Sequence, residues 1–306
     1  MIEYYAKKKG EDKVEKIPGF THGCWINVID PDEGEIEFLV NEFNLNKDDI
    51  HDGLDIYETA RIEVEEEKTY IFMTAPTEKI EHEDVSSFLI ISSKDFFMII
   101  SKYQLEIFDN VLDLSKKVGI FTNQRNLFKI LFFISRAFEK KVMKIIKEAK
   151  ANKRDLEKLK NEDIARIINY EDKLTIYISS FEGIIQNYNK ILRNKSIKFS
   201  EKDQEMLKDI INDLEETFSL CKYALTTLTN MRSYYSTQLS NKLNKTVAIL
   251  TISTIFLTVP MVLGSIYGMN VNLPLQEHPN IFYLLSFIVV TIWISMIFVL
   301  KHFKII

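Results

Sequence analysis

Two long apolar segments close to the C-terminal end constrain the fold of this chain more than any other feature. They are Thr246–Met269 and Ile281–Leu300; neither contains a charged residue, and about a dozen residues separate them. A bilayer core of about 30 Å is crossed by about 20 helical residues, so each segment is long enough to be a transmembrane helix. Because the linker is too short to hold a domain, we expect the two helices to form a hairpin.

Basic residues at the ends of the two segments predict the orientation of the hairpin. Lys242 and Lys245 precede the first segment, and Lys301 and Lys304 follow the second. The connecting residues 270–280 contain no Lys or Arg. Since positively charged flanks stay in the cytoplasm, we expect a multi-pass protein of the plasma (inner) membrane with cytoplasmic N- and C-termini and an outer loop.

The preceding residues, about 240 of them, have the composition of a water-facing globular region. Charged residues make up 27% of the chain and hydrophobic residues 46%, which leaves ample material for a core. The net charge of −5 argues against nucleic acid as a partner, because a nucleic-acid binder shows a basic face. Cys24 and Cys221 are too few for a disulfide framework, and free cysteines suit a reducing compartment.

The first part of the chain mixes strand and helix patterns, which predicts a cytoplasmic α/β domain over residues 1–123. Predicted strands with apolar or alternating patterns are Thr21–Val28, Thr69–Thr74, Ser87–Ile91 and Asp95–Ser101. Asp32–Phe43 and Lys47–Leu54 are predicted to be short helices. Residues 124–199 then read as a cytoplasmic helical hairpin.

A very long helix is predicted over residues 200–270, with the first transmembrane helix at about 246–269. Ser200 is a suitable N-cap, with Asp203 three positions later, and no proline occurs between Pro76 and Pro260. An apolar heptad seam along the helix predicts packing against the preceding helices or a neighbouring subunit. Its members are Leu207, Ile211, Leu214, Phe218, Cys221, Leu225 and Leu228. Residues 271–280 are predicted to be the extracellular loop, 281–300 the second transmembrane helix and 301–306 a basic cytoplasmic tail.

A second, mostly polar stripe begins at Asp209 and continues into the first apolar segment without losing its phase. The residues that we expect to line a water-filled path, called the lining row below, are Asn244, Val247, Leu250, Thr251, Thr254, Thr258, Met261 and Ser265. Ser and Thr are also tolerated in transmembrane helices, where they form interhelical hydrogen bonds. Continuity with the cytoplasmic stripe favours the water-lined alternative. Two helices cannot enclose a pore, so several subunits are required, and Val247 with Leu250 forms an apolar ring that can close it by dewetting.

The end of the first apolar segment carries a short motif. Tyr267–Asn270 reads Tyr-Gly-Met-Asn, and an acidic loop and a second span follow it. This arrangement resembles the CorA-type magnesium transporter family, whose signature is a Gly-Met-Asn triplet at this location. The stretch Ser240–Asn244 and the order of α/β domain, long helices and C-terminal hairpin are also similar to the family.

The resemblance implies an assembly and a set of functional residues. It implies a funnel-shaped homopentamer in which the first membrane helix of each subunit lines the pore. It assigns Gly268, Met269 and Asn270, called the outer motif below, to a selectivity ring, and Asn244 to the cytoplasmic end of the pore. It also implies regulatory Mg²⁺ bound between cytoplasmic domains through Asp209 and a partner carboxylate. Candidates for that partner are Glu81, Glu83 and Asp84, with Asp84 favoured; each can equally be a solvated surface acid.

The chemistry of the outer motif and its loop suits a hydrated divalent ion. Mg²⁺ releases its water reluctantly, so asparagine amides that hydrogen-bond the water shell select the ion without trapping it. Glu277 in the outer loop attracts cations electrostatically. Together with the resemblance, which implies gating by Mg²⁺, this chemistry leads us to expect a gated transporter, driven by the membrane potential, for Mg²⁺ as cargo and regulator, with Co²⁺ as a further cargo. No phosphate-binding loop or zinc-protease motif occurs, and we expect no enzymatic activity.

Two other interpretations stay open at this point. One keeps the architecture and changes the cargo to Zn²⁺ or Ni²⁺. The other is a membrane-tethered coiled-coil scaffold that transports nothing, which the heptad seam alone would fit. A scaffold leaves the polar stripe across the bilayer and the lysine-free outer loop unexplained.

Overall fold

The computed structural model of the chain describes residues 1–7, 14–65, 67–77, 84–118, 122–153, 161–193, 199–275 and 278–302. It divides into two compact units, Met1–Arg232 and Ser233–Ile306.

The strands are β1 (Ile2–Lys7), β2 (Val14–Ile17), β3 (Cys24–Ile29), β4 (Arg61–Glu65), β5 (Lys68–Pro76), β6 (Val85–Ser92) and β7 (Phe96–Ser101). The helices are α1 (Glu33–Phe43), α2 (Lys47–Leu54), α3 (Glu106–Val118), α4 (Asn123–Lys153), α5 (Asn161–Arg193), α6 (Glu201–Tyr267) and α7 (Ile281–His302). The domain boundaries expected from the sequence stay predictions.

The first unit is built on one sheet with the strand order β2-β1-β3-β7-β6-β5-β4. Strands β3 and β7 run parallel, and every other neighbouring pair in this sheet is antiparallel. Successive side chains of a strand point to opposite faces, and both faces are covered. Phe96 and Met98 belong to a core cluster that includes residues of α1 and α2, whereas Phe97 and Ile99 belong to one with residues of α3 to α6. The predicted α/β character of the N-terminal part is confirmed.

The strands and helices predicted from apolar patterns are present, with boundaries that shift by at most three residues. Strand β3 begins at Cys24 rather than at Thr21, because residues 21–23 form a turn in which Cys24 donates its backbone N–H to the Thr21 carbonyl at 3.0 Å. Gly23 adopts φ 78° there, a backbone conformation that glycine reaches without a steric penalty. Helix α1 begins with a capping box in which Asp32 and Glu35 exchange side-chain-to-backbone hydrogen bonds of 2.8 and 3.2 Å.

Strands β1, β2 and β4 were not predicted. The two at the edges of the sheet, β2 (VEKI) and β4 (RIEVE), carry several charged residues. On β4, Arg61 is held by Asp52 at 2.7 Å and by Glu63 at 2.6 Å, and its guanidinium lies 3.7 Å from the centre of the Phe72 ring. Charged side chains therefore occupy the outermost strands, where sequence patterns of buried strands do not apply.

Helix α6 is one continuous helix of 67 residues, as predicted. At its start the Ser200 hydroxyl accepts a hydrogen bond from the Asp203 backbone N–H at 3.2 Å, which confirms the predicted N-cap. All residues of the heptad seam are buried or partly buried. The buried ones are Leu207, Ile211, Leu214, Cys221 and Leu228, and the partly buried ones are Phe218 and Leu225. They share one core cluster with residues of α4 and α5, so the seam packs against the preceding helices.

The packed part of α6 finishes in a polar cluster with α5. Glu171 of α5 is buried; one of its carboxylate oxygens accepts a hydrogen bond from the Thr229 hydroxyl at 2.7 Å. The other oxygen lies 2.9 Å from Nε of Arg232. The carboxylate is thereby satisfied on both oxygens at the end of the first unit.

Candidate ion pathway

The second unit contains the C-terminal part of α6 and all of α7. Each of these helices has an apolar stretch that is long enough to cross a membrane, judged by length and composition. Among the residues of these stretches whose burial the structure describes, none is buried within the chain. An apolar surface of this extent needs a covering other than water.

Each of the two helices has one half-buried stripe. In α6 this stripe contains Ile252, Phe256, Val259, Leu263 and Tyr267; in α7 it contains Ile281, Leu285, Val289, Trp293 and Met296. The rings of Phe256 and Trp293 lie 5.7 Å apart, and Trp293 donates its indole N–H to the Phe256 carbonyl oxygen at 3.0 Å. The half-buried stripe of α6 is therefore the side that packs against α7.

The lining row lies on the other side of α6. Every one of its residues is exposed in the single chain. Thr254 and Thr258 are each two positions from Phe256, which places them about 200° around the helix from the residue that contacts α7. The row is thus free to face another copy of the helix or a water-filled path.

The threonine hydroxyls of the row share one orientation. Thr251 donates to the Val247 carbonyl at 2.9 Å, Thr254 to the Leu250 carbonyl at 2.9 Å, and Thr258 to the Thr254 carbonyl at 2.8 Å. A hydroxyl has one proton and two lone pairs, so each of these oxygens keeps only acceptor capacity for an outside partner. The waters around a cation direct their protons outward. A column of acceptors on the row is compatible with the passage of a hydrated cation.

The outer motif begins where α6 ends. Gly268 donates its backbone N–H to the Gly264 carbonyl at 2.9 Å, and Met269 donates to the Ile266 carbonyl at 3.2 Å. A Cβ atom at position 268 would lie only 3.1 Å from the Gly264 oxygen, so glycine allows the chain to close tightly over the helix end. Asn270 follows and is exposed. The Tyr267 hydroxyl donates to the Pro274 carbonyl at 3.2 Å, which ties the loop to the helix end. Glu277 lies outside the described residues.

The acids expected to bind regulatory Mg²⁺ have different surroundings. Asp209 is an exposed residue on α6. Asp84 is ion-paired with Lys173 of α5 and its side chain is 20% exposed. Glu81 and Glu83 lie outside the described residues. Within the described parts of one chain, no three Asp, Glu, His or Cys side chains are grouped so that they could hold a metal ion.

Comparison with known proteins identifies the family. The family model for CorA-like Mg²⁺ transporter proteins matches residues 21–302, nearly the whole chain. The chain belongs to the CorA family. Its resemblance to that family, inferred from the outer motif, is thereby confirmed. CorA-family members are integral membrane proteins that transport Mg²⁺; they are transporters rather than enzymes.

Individual relatives cover almost the full length. The magnesium transport protein CorA of Wolinella succinogenes is 24% identical over 300 residues, which span 91% of each chain. The complete structure of the CorA magnesium transporter from Methanocaldococcus jannaschii has a TM-score of 0.84 at 21% identity and covers 98% of this chain and 97% of that one. The ZntB cytoplasmic domain from Vibrio parahaemolyticus has a TM-score of 0.66 at 9% identity, covering 78% of this chain and 98% of that domain. At these identities the solved structures establish the shared CorA-like fold.

Two contacts in this CorA-family chain were not foreseen from its sequence. Lys173 is the partner of Asp84, although 89 residues separate them. Trp293 is bonded to the Phe256 carbonyl across 37 residues. For the second contact a signal existed: Pro260, four residues after Phe256, leaves that carbonyl without its helical partner.

Proposed function

We propose that several copies of this chain form a gated pathway that conducts Mg²⁺ into the cytoplasm, driven by the membrane potential. The observation that carries the proposal is the column of hydroxyl acceptors on the exposed side of α6, which leads to the outer motif. Both termini lie in the cytoplasm and the outer loop faces the other side, as the lysine distribution indicates.

The pathway runs between subunits. One α6 helix presents the lining row on a single side, so a closed lumen requires the same side of several copies around an axis. The family resemblance implies five copies arranged as a funnel. Lipid covers the remaining apolar surface of α6 and α7. Val247 and Leu250, exposed by 60% and 66% in the single chain, form the apolar ring that closes the pathway by dewetting.

Selection uses the hydrated ion. The Asn270 amides of the outer motif contact the water shell, and Met269 narrows the entrance beside them. Thr251, Thr254 and Thr258 then accept hydrogen bonds from the same waters, so that Mg²⁺ passes without losing its shell completely. Asn244 repeats the amide chemistry at the cytoplasmic end, and Met261 and Ser265 complete the wall between. Glu277 raises the cation concentration at the outer mouth.

The membrane potential supplies the driving force. Moving one charge through 100 mV is worth about 2.3 kcal/mol, so a divalent ion gains about 4.6 kcal/mol on entering a cell that is negative inside by that amount. No chemical reaction is needed for uptake under these conditions.

Mg²⁺ itself closes the pathway from the cytoplasmic side. Asp209 of one subunit and Asp84 of another, with Glu83 nearby in sequence, supply the carboxylates that hold the regulatory ion between domains. Lys173 already neutralises Asp84 within the chain. The ion must displace that ammonium group, which sets the closing concentration higher than two free carboxylates would.

Flux measurements on reconstituted protein test the transport function. Full-length protein in liposomes is expected to take up Mg²⁺ under an imposed inside-negative potential, and Asn270→Ala is expected to abolish selective uptake while assembly is retained. Asn272→Ala, an exposed amide two positions further on, is the matched control and is expected to conduct normally. Intact selective uptake by Asn270→Ala would disprove the assigned filter, and folded protein without any flux would disprove the function.

A second flux series tests the regulatory site. Asp209→Lys places a fixed positive charge in the site and is expected to change the closing response, leaving uptake high at millimolar internal Mg²⁺. Asp213→Lys, an exposed aspartate one turn further along α6, is the control. Equal responses of the two variants would mean that the sensor lies elsewhere.

The remaining alternatives are separated by two simple assays. Competition among Mg²⁺, Co²⁺, Ni²⁺ and Zn²⁺ during uptake decides the cargo. A cysteine-accessibility scan of positions 244–265 decides between a pathway and a scaffold, because a scaffold has no water-accessible side. The native Cys24 and Cys221 are both buried, so the scan can be run in the unmodified background.

A further inference from the structure

Pro260 interrupts the hydrogen-bond ladder of α6 inside its apolar segment. Proline has no backbone N–H, so the carbonyl four residues earlier, that of Phe256, loses its helical donor. In water such a carbonyl is satisfied by solvent. In the hydrocarbon region no water is available, and an unsatisfied backbone group is costly.

The missing donor comes from the other helix of the second unit. The indole N–H of Trp293 in α7 reaches the Phe256 oxygen at 3.0 Å, and the two rings lie 5.7 Å apart with an interplanar angle of 34°. An indole N–H can only donate, so this bond satisfies both groups at once. A contact between α6 and α7 is therefore placed at the one carbonyl that the proline has freed.

The position of this junction divides the lining row. Thr251 and Thr254 precede it, whereas Met261, Ser265 and the outer motif follow it. A helix can change direction at a proline because the bond that would hold the two parts in line is absent. The bond from Trp293 fixes the carbonyl at this point of the helix.

We propose that Trp293 is a positioning residue for ion conduction: by donating to the Phe256 carbonyl opposite Pro260, it holds the outer part of α6 in register with the inner part of the lining row. The inference rests on the proposed pathway and adds a role for α7, which contributes no residue to the lining row. Trp293 contacts a backbone carbonyl of α6 and not the ion. It affects conduction by setting the direction of the outer part of α6.

A double-variant cycle isolates the hydrogen bond from the packing of the ring. Trp293→Phe keeps an aromatic side chain and removes the donor; it is expected to lower Mg²⁺ uptake in liposomes by about threefold to tenfold, the range of an interhelical hydrogen bond in membranes. Pro260→Ala restores a backbone N–H for the Phe256 carbonyl. In that background Trp293→Phe is expected to change uptake by less than about twofold. Equal losses in both backgrounds would show that only ring packing matters and would overturn the inference.

Cysteine accessibility separates this inference from the proposed pathway. Reaction of a charged thiol reagent with Ser265→Cys is expected to change when Trp293 is replaced by Phe, while reaction with Thr251→Cys stays the same, since only the outer part of the helix is released. Phe287→Leu, an exposed aromatic of α7, is the control and is expected to change neither. Unchanged reactivity at both cysteines would refute the role of Trp293, whereas no reactivity at either in the unaltered background would refute the pathway itself.

The inference can also be tested if Trp293→Phe fails to assemble. If Trp293→Phe does not form a monodisperse particle in detergent, the double variant with Pro260→Ala is expected to recover it, because the carbonyl has its helical donor again. Failure of the double variant as well would show that the proline-freed carbonyl is not the reason for the tryptophan.

Discussion

Replacing Asp49 with Asn is expected to stabilise the protein above about pH 6 and to leave its stability nearly unchanged below about pH 4. Asp49 lies in the first turn of α2; it is only 6% exposed, and its Oδ2 atom is buried without a hydrogen-bond partner. Burial, followed by repulsion from Glu63 and Glu65, raises the pKa of Asp49 to about 6, from 3.8 for an unperturbed carboxyl. The folded chain therefore holds this proton more tightly than the unfolded chain does.

The sign and the size of the effect follow from this difference in pKa. Between about pH 4 and 6 the folded state binds more protons than the unfolded state, so the free energy of unfolding falls as the pH rises. A difference of about two pH units corresponds to about 3 kcal/mol, reached above pH 6. At pH 4 the unfolded carboxyl is already more than half ionised, so about 0.5 kcal/mol of this difference is reached before pH 4. We expect Asp49→Asn to gain about 2 kcal/mol at pH 7.5 relative to pH 4.

Denaturant unfolding of the full-length protein in detergent measures this gain. Of the two tryptophans, Trp25 is fully buried in β3 and reports on the sheet beside which α2 lies, while the signal of Trp293 in α7 is common to all variants compared. Asp48→Asn is the matched control: Asp48 is exposed in the same turn and its replacement is expected to cost a few tenths of a kcal/mol without this pH dependence. A loss of stability in Asp49→Asn at pH 7.5, or an equal effect at both pH values, would refute the reasoning.

Three further substitutions, one of them with a control, probe the interior of the first unit. Leu214→Ala removes a fully buried side chain of the α6 seam and is expected to cost about 2–5 kcal/mol in the same unfolding assay. Gly53→Ala would place a Cβ atom 2.5 Å from Cβ of Leu89 and is expected to cost about 1–3 kcal/mol by overpacking, whereas Gly19→Ala, with nothing within 4 Å, is expected to cost less. Burial lowers the pKa of Lys129 from 10.5 to about 8, so the free energy of unfolding is expected to rise with pH between these two values. Lys129→Met is expected to flatten that rise. An unaltered pH profile of the variant would contradict the lowered pKa.

The helices and strands whose apolar residues follow a clear pattern could be predicted from the sequence. The seam of α6 repeats over several turns, and its start is marked by Ser200 with Asp203, so both the helix and its buried side follow from local rules. The same holds for β5, β6 and β7, whose apolar runs are long enough to indicate strands that are buried on both faces. The outer motif was recognisable because it ends an apolar segment.

The elements and contacts that depend on distant residues could not be predicted in the same way. Strand β1 is defined by its pairing with β2 and β3, and β4 by its pairing with β5, and neither has an apolar pattern strong enough to stand alone. The pairing of Asp84 with Lys173 depends on how α5 lies beside the sheet. A single helix carries the lining row, so the common side of its residues was predictable from their spacing, whereas contacts between two elements were not.

The charged edge strands of the sheet have a consequence for how copies of this chain associate. An uncovered edge strand offers free backbone groups to any other strand, and copies held together in one membrane meet at high local concentration. On β4, Arg61 and the acids around it keep hydrated charge along that border, and β2 carries Glu15 and Lys16 on the opposite border. Joining two sheets into one would require those charges to be desolvated. These charges therefore disfavour continuous intermolecular sheets, so that the first units of neighbouring copies stay discrete bodies.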